Sequence, residues 1–153
     1  MTKLKEGQKA PFFEGTDQSG NKVTSDDFKG KKLILYFYPK DNTPGCTAEA
    51  CNLRDNYTDL NVKGYAVVGI SGDSEKSHLK FAEKYDLPFP LIADTEKKIM
   101  TDYGTFGEKK MYGKTFLGII RTTFIINEDG IIERIIKKVD TKNHTQQIYN
   151  LYE

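Results

Sequence analysis

Cysteine, histidine and net charge are all scarce in this chain, and each scarcity removes a class of function. There are two cysteines and two histidines among 153 residues, and no tryptophan. A structural zinc site takes four ligands. His78 and His144 fall in separate predicted helices, away from the cysteines, so no metal is expected. The scattered glycines lack the spacing of a nucleotide-binding loop, and no redox cofactor is expected either. The 23 basic residues nearly balance the 22 acidic ones, leaving a formal charge of +1. Nothing in that balance steers the chain toward nucleic acid or an anionic membrane. The densest basic stretch, Lys109-Lys110 with Lys114, reads as a solvated loop, since Glu108 precedes it.

Long apolar runs are missing too. None approaches the ~18 residues of a membrane span. The first residues, Met1-Thr2-Lys3-Leu4-Lys5-Glu6-Gly7, lack the apolar core of a secretory signal. The expected location is the cytoplasm. With no repeat, linker or low-complexity tract, residues 1–153 read as one domain. In a reducing compartment, a cysteine pair is more often catalytic or redox-sensing than structural.

Both cysteines lie in one segment, Tyr38-Pro39-Lys40-Asp41-Asn42-Thr43-Pro44-Gly45-Cys46-Thr47-Ala48-Glu49-Ala50-Cys51. It follows the apolar run Leu33 to Tyr38, a strand buried on both faces by its composition. It leads into a helical stripe of Ala50, Leu53, Tyr57 and Leu60, which Gly64 ends. A cysteine at such a strand-to-helix transition meets unpaired backbone N–H groups and the positive end of the helix dipole. Those features favour the thiolate, the reactive form.

The rest of the chain alternates strand and helix. Phe12 to Val23 predicts a short hairpin around Asp17-Gln18-Ser19-Gly20-Asn21. Ser25 to Lys32 is a polar connection with one anchor, Phe28. Tyr65 to Ser71 predicts a second central strand. Asp73 or Ser74 caps a helix over Glu75 to Tyr85, with Leu79, Ala82 and Tyr85 on its buried face. Leu91 and Ile92 form a short strand, and Thr95 to Tyr103 a short helix. Gly104 to Gly118 is glycine-rich and receives no assignment. Strands at Thr122 to Ile126 and Ile131 to Val139 flank a turn at Asn127-Glu128-Asp129-Gly130. A helix over His144 to Tyr152 closes the chain. This order predicts an α/β fold with a mixed central sheet flanked by helices, and a right-handed crossover between its parallel strands. The cysteine segment then lies at the carboxyl end of a central strand, where open α/β sheets place their sites.

Several roles compete for the cysteine pair. Five residues apart on one helix, their Cα atoms lie about 8.5 Å apart. That exceeds the ~7 Å within which a disulfide closes without backbone movement. A thioredoxin-type dithiol has two intervening residues, and here there are four. Two inert buried cysteines are the remaining alternative. The Thr43-Pro44-Gly45 lead-in argues against it for Cys46, and less so for Cys51. Helical phase places Cys46 with Ala50, Leu53 and Tyr57, and Cys51 roughly 140° away.

These residues resemble the peroxiredoxins, specifically the bacterioferritin-comigratory-protein or peroxiredoxin Q group. The similarity runs nearly the whole length. It rests on Pro39 to Thr47 and the Cys51 spacing. It also rests on Lys80-Phe81-Ala82-Glu83-Lys84-Tyr85 with Leu87-Pro88-Phe89-Pro90-Leu91, Lys110-Met111-Tyr112-Gly113-Lys114 and Arg121-Thr122-Thr123-Phe124. The resemblance implies a thioredoxin-like fold and a thiol peroxidase. It makes Cys46 the peroxidatic cysteine and Cys51 the resolving one. It has Thr43 hydrogen-bond the sulfur and the peroxide, Pro39 shield the pocket, and Arg121 hold the thiolate. Gly72, Thr122 and Asn127 stand where relatives more often carry Pro, Ser and Asp, and none touches this chemistry.

The chemistry demands such a set. A thiolate attacks one peroxide oxygen while the other leaves with negative charge. Arg121 is always charged and presents a planar fork of donors. Glu49, one turn after Cys46, either orients Arg121 or is an exposed helix carboxylate, and the sequence leaves both open. The sulfenic acid product would condense with Cys51 to a disulfide, which thioredoxin or a similar dithiol would reduce. A monomer or weak homodimer is the expected state. A peroxide sensor or redox relay, oxidising a protein partner through Cys46, is the alternative function.

Overall fold

The computed structural model describes residues 2–152, with Met111 by its backbone alone. Met1 and Glu153, the ends of the one-domain expectation, lie outside the described residues. The chain opens with a hairpin of β1 (Glu14–Thr16) and β2 (Lys22–Thr24). Asp17 Oδ1 accepts from the amides of Ser19 and Asn21 and closes its turn. The apolar run becomes β3 (Lys32–Phe37), followed by α1 (Pro44–Asp55) and α2 (Tyr57–Val62). Next come β4 (Tyr65–Ser71), α3 (Glu75–Tyr85), β5 (Leu91–Ala93) and α4 (Lys98–Asp102). A ribbon of β6 (Phe106–Met111) and β7 (Lys114–Ile119) precedes β8 (Thr122–Ile126), β9 (Ile132–Ile136) and α5 (His144–Asn150).

The central sheet has five strands in the order β5-β4-β3-β8-β9. β3, β4 and β5 run parallel, while β8 is antiparallel to both β3 and β9. Alternation along β3 feeds two layers. Ile34, Tyr36 and Tyr38 pack with Cys46, Ala50, Leu53, Phe81 and Ile148. Leu33, Leu35 and Phe37 pack on the opposite face with Val68, Tyr103 and Phe124. All of the β3 side chains from Leu33 to Phe37 are buried. Each is worth about 1.5–3 kcal/mol relative to exposure.

The mixed α/β sheet with flanking helices agrees with the sequence reading, but details change. The single helix expected from Thr47 to Gly64 is two. Asn56, at φ −107° and ψ 10°, separates α1 from α2. The helix also starts earlier, with Pro44 in its first turn, where a missing N–H costs nothing. On α3 the buried face is His78, Phe81 and Ala82, while Leu79 is exposed. Ser74 caps it, accepting from Ser77 N. The α4 helix is shorter than expected, because Lys97 takes a left-handed conformation just before it. The last strand ends at Ile136 and the last helix at Asn150. The unassigned stretch from Gly104 to Gly118 is mostly the β6–β7 ribbon, turning at Tyr112-Gly113 with positive φ at both residues. Most of β7 is exposed, so no apolar alternation marks it.

Gly69, in β4, is required by close packing. A Cβ there would lie 2.8 Å from Tyr36 Cζ and 2.9 Å from Leu91 Cδ2, both on fully buried side chains. Gly69→Ala is therefore expected to destabilise the fold by about 1–3 kcal/mol. Denaturant unfolding would measure this, and an unchanged midpoint would contradict the packing account.

Candidate active site

At the end of β3 the chain enters a loop that is braced before it reaches α1. Tyr38 N donates to Ile70 O of the neighbouring strand. Tyr38 OH donates to Asp41 Oδ1 at 2.6 Å, and Ser77 Oγ to Asp41 Oδ2 at 2.8 Å. His78 Nδ1 lies 2.6 Å from the same Oδ2, and its Nε2 lies 3.0 Å from Ile92 O. Asp41 N and Ser71 Oγ both donate to Asp73 Oδ2. Asp41, Asp73 and His78 offer metal-ligand atoms within 4.8 Å of one another. Each of those atoms is already engaged in these bonds, so the cluster acts as a clamp on the loop. The expectation that both histidines lie away from the cysteine segment is thus overturned. His78 touches it through Asp41, and His144 through Glu49.

The clamp sets the entry of α1. Thr43 takes the cap position, its carbonyl accepting from Thr47 N at 2.8 Å. Its hydroxyl donates to Lys40 O at 2.9 Å. Among the described residues it forms no hydrogen bond with Cys46 Sγ, contrary to that part of the expectation. Pro39 is half-buried beside the loop. Cys46 falls in the first turn of α1 and is 1% exposed.

Arg121 reaches this helix start because β8 pairs with β3. The register places Thr122 opposite Phe37, so Arg121 sits beside the loop that follows β3. Arg121 Nη2 donates to Cys46 Sγ at 3.2 Å, and Nη1 to Glu49 Oε1 at 2.7 Å. Gly45 leaves room for the guanidinium, since a Cβ there would lie 3.3 Å from Nη2. Burial opposes the charge of Arg121, but Glu49 and Cys46 more than offset it and hold its pKa above the ordinary value.

Glu49 is fully buried, which resolves the choice left open above in favour of orienting Arg121. Burial pushes its carboxyl up to about 7, with Arg121 pulling the other way. His144 Nε2 lies 3.4 Å from the other oxygen, Oε2. Burial pushes the His144 imidazole down to about 4. This residue arrives through the packing of α5 on α1, where Asn52 Oδ1 accepts from Thr145 N and Asn52 Nδ2 donates to Lys142 O. No spacing in the sequence announces it.

Lys109 is the other residue that sequence reasoning missed. It lies on β6 rather than in a solvated loop. Its pKa is lowered by burial and by Arg121, while Cys46 opposes the shift. Its ammonium therefore feels the same site. Cys51, on the same helix as Cys46, is half-buried, and both are free thiols. Burial pushes the Cys51 thiol up, opposed by Arg54. Arg54 itself donates to Tyr85 O and to Asp55. The structure thus brings Cys46, Arg121 and Glu49 into contact, with Thr43 capping the same helix. It keeps Cys51 on another side of α1.

Residues 6–135 match the model of the AhpC/TSA family. A putative peroxiredoxin Bcp from Coxiella burnetii is 47% identical over 93% of this chain and 94% of that protein. Peroxiredoxin Bcp of Escherichia coli is 43% identical over 98% of this chain and 96% of its own length. The bacterioferritin comigratory protein of Xanthomonas campestris, solved as a trapped intermediate or ligand complex bearing on its alkyl peroxide reduction, superposes with a TM-score of 0.88. It is 31% identical and covers 96% of each chain.

The buried carboxyl has a measurable consequence. Its folded pKa of about 7 exceeds the ordinary 4.5. Its contribution is therefore most favourable below 4.5 and is lost as pH rises through about 7. His144 has the opposite sign, losing stability as pH falls from 6.5 toward 4. Glu49→Gln removes only the first effect. The melting temperature of the unaltered chain, relative to Glu49→Gln, is expected to rise as pH falls from 7 to 4.5. Parallel melting curves across that window would contradict the burial of an acid here.

Proposed function

Because this chain belongs to the AhpC/TSA family and aligns nearly end to end with its Bcp and peroxiredoxin Q members, we propose that Cys46 is the peroxidatic nucleophile of its thiol peroxidase activity. The enzyme reduces hydroperoxides with electrons from a thiol reductant. The observation that carries the residue assignment is the fork of Arg121, which holds Cys46 Sγ and Glu49 at the start of a helix. Guanidinium and helix amides converge on one anion, the arrangement that stabilises both a thiolate and the charge developing in the transition state.

The steps follow from that arrangement. The Cys46 thiolate attacks the peroxide's terminal oxygen. An S–O bond forms, the O–O bond breaks, and the departing alkoxide or hydroxide takes a proton. Thr43 has committed its proton to Lys40 O, so its oxygen is free to accept the O–H of an incoming peroxide. Pro39 shields the loop side of the pocket. Cys46 is left as a sulfenic acid. Cys51 then displaces water from that sulfur, and the disulfide is reduced by a dithiol such as thioredoxin. Helix geometry and phase keep the two sulfurs apart, so the first turns of α1 must unwind before the second step.

Both core clusters lie against the same central sheet, in keeping with one domain over 1–153. No helix among the described residues is long and apolar enough to cross a membrane. A reductant-fed cycle suits the cytoplasm. The near-zero net charge offers nothing to nucleic acid. Exposed Phe12 and Val62 stand alone, while Tyr112, Phe116 and Leu117 share the β6–β7 ribbon, a small patch that suits a monomer or a weak homodimer.

Peroxide consumption with a thioredoxin recycling system tests the roles. Cys46→Ser is expected to abolish turnover, because no nucleophile remains. Arg121→Ala is expected to slow peroxide reduction about 100-fold or more. Cys51→Ser is expected to form the Cys46 sulfenic acid at an unaltered rate and then accumulate it. Residual turnover in Cys46→Ser would overturn the assignment. Hydrogen exchange tests the motion. Amides from Thr47 to Leu53 are expected to exchange faster in the disulfide form than in the reduced form. Equal protection, with the Cys46–Cys51 bond confirmed by mass, would contradict unwinding.

A further inference from the structure

Glu49 Oε2 is buried and has no hydrogen-bond partner among the described residues. An ionised carboxylate oxygen left so is among the costliest groups to bury. The polar atom set beside it is His144 Nε2, at 3.4 Å. What that nitrogen presents follows from the far side of the ring. Gln147 Nε2 donates to Lys138 O, which fixes the orientation of the Gln147 amide. Gln147 Oε1 then accepts from Asp140 N and faces His144 Nδ1 at 2.9 Å. Nδ1 must therefore carry the ring proton. In the neutral ring, Nε2 carries a lone pair, which Thr123 Oγ1 approaches at 2.9 Å. The ring offers Glu49 Oε2 no proton, so any proton between them belongs to the carboxyl.

Charge counting leads to the same place. Arg121 is one cation shared between Cys46 and Glu49. A thiolate and a carboxylate together would leave a buried net negative charge. The remaining groups do not alter the count. Tyr36 is a buried neutral phenol whose ionisation Glu49 and Cys46 both oppose. Asp140 acts on the far side of His144, and Lys109 bears on Arg121 and Cys46 rather than on Glu49.

We propose that Glu49 is held as a neutral acid, with its proton on the unpartnered Oε2, and that it gives up this proton when Cys46 is oxidised. The proposal rests on Cys46 being the peroxidatic sulfur. Before reaction, the guanidinium balances the thiolate. Afterwards the sulfenic acid is neutral, and the same guanidinium balances the Glu49 carboxylate. The proton lost from Glu49 equals the one gained by the departing alkoxide or hydroxide, so the buried charge is zero at both ends. Glu49 and His144 are positioning residues here, acting through Arg121 without touching peroxide.

The test is a proton count in single-turnover oxidation of Cys51→Ser by hydrogen peroxide, in weak buffer with a pH indicator. It is run below about 7, where Glu49 keeps its proton, and where ultraviolet absorbance shows the Cys46 thiolate. Close to no proton should be taken from solvent per sulfenic acid formed. Cys51→Ser with Glu49→Gln keeps a carbonyl for Arg121 but has no acid to spend, and should take up one. Difference infrared spectra should show a protonated carboxyl band lost on oxidation of Cys51→Ser. That reading needs no second variant. Nitrogen NMR should find His144 protonated at Nδ1 and bare at Nε2. Equal proton uptake in both proteins, an unchanged carboxyl band, an imidazolium at His144, or no thiolate below about 7 would each overturn the proposal. Absence of sulfenic acid by mass in Cys51→Ser would overturn the role of Cys46 as well.

Discussion

One guanidinium placed between two acids is the constraint on which this site depends. Arg121 is largely buried, and burying a charge is tolerable only when partners with good geometry surround it. Its two terminal nitrogens reach Cys46 and Glu49 on successive turns of α1. That reach needs the antiparallel pairing of β8 with β3, so that the residue before one strand lies beside the loop after the other. It also needs Gly45, because a larger residue would press on the guanidinium. The sheet register, the helix start and the arginine thus form a single arrangement, and a change in any of them displaces the sulfur from its donors.

Around that arrangement the chain is stiff on one side and releasable on the other. The loop before α1 is clamped by Asp41 to Tyr38, Ser77 and His78, and through its own amide to Asp73. These bonds tie it to β3 and α3, which do not need to move. The helix start is held differently. Its first amides have no intrahelical partners, as at any helix beginning, and Cys46 lies among them. Opening this turn costs few hydrogen bonds. Farther along, Asn52 fastens α1 to α5, so that unwinding has a natural limit near that residue. On the proposed roles, a thiol at this loosely bonded turn would serve a cycle whose second step brings the sulfurs of Cys46 and Cys51 together.

The family places the activity, and the local physics explains its parts. An acid with a raised pKa beside an arginine that also holds the Cys46 sulfur is the kind of perturbed cluster that marks catalytic sites. His144, set beyond Glu49 by a different helix, extends this cluster into the core and couples the helix packing to the charge of the site.

The sequence by itself determined the elements whose signal is local. The run from Leu33 to Tyr38 could only be a buried strand, Asn127 to Gly130 marked a turn, and Pro44-Gly45-Cys46 marked a helix start. The placement of Cys46 was legible for the same reason, because a thiol at a helix N-terminus is a statement about neighbours in sequence. The β6–β7 ribbon was not legible, since an exposed strand needs no apolar alternation. Nor was the break at Asn56, because the buried stripe runs on through both helices. Only the tertiary structure decided which groups meet the sulfur. Arg121 lies 75 residues from Cys46, and His144 is brought to Glu49 by one face of α5. Such contacts depend on strand register and helix packing, which many local sequences satisfy equally well. Whether Glu49 is an exposed carboxylate or a buried acid is set by what covers it, and that cover comes from parts of the chain its own neighbours do not specify.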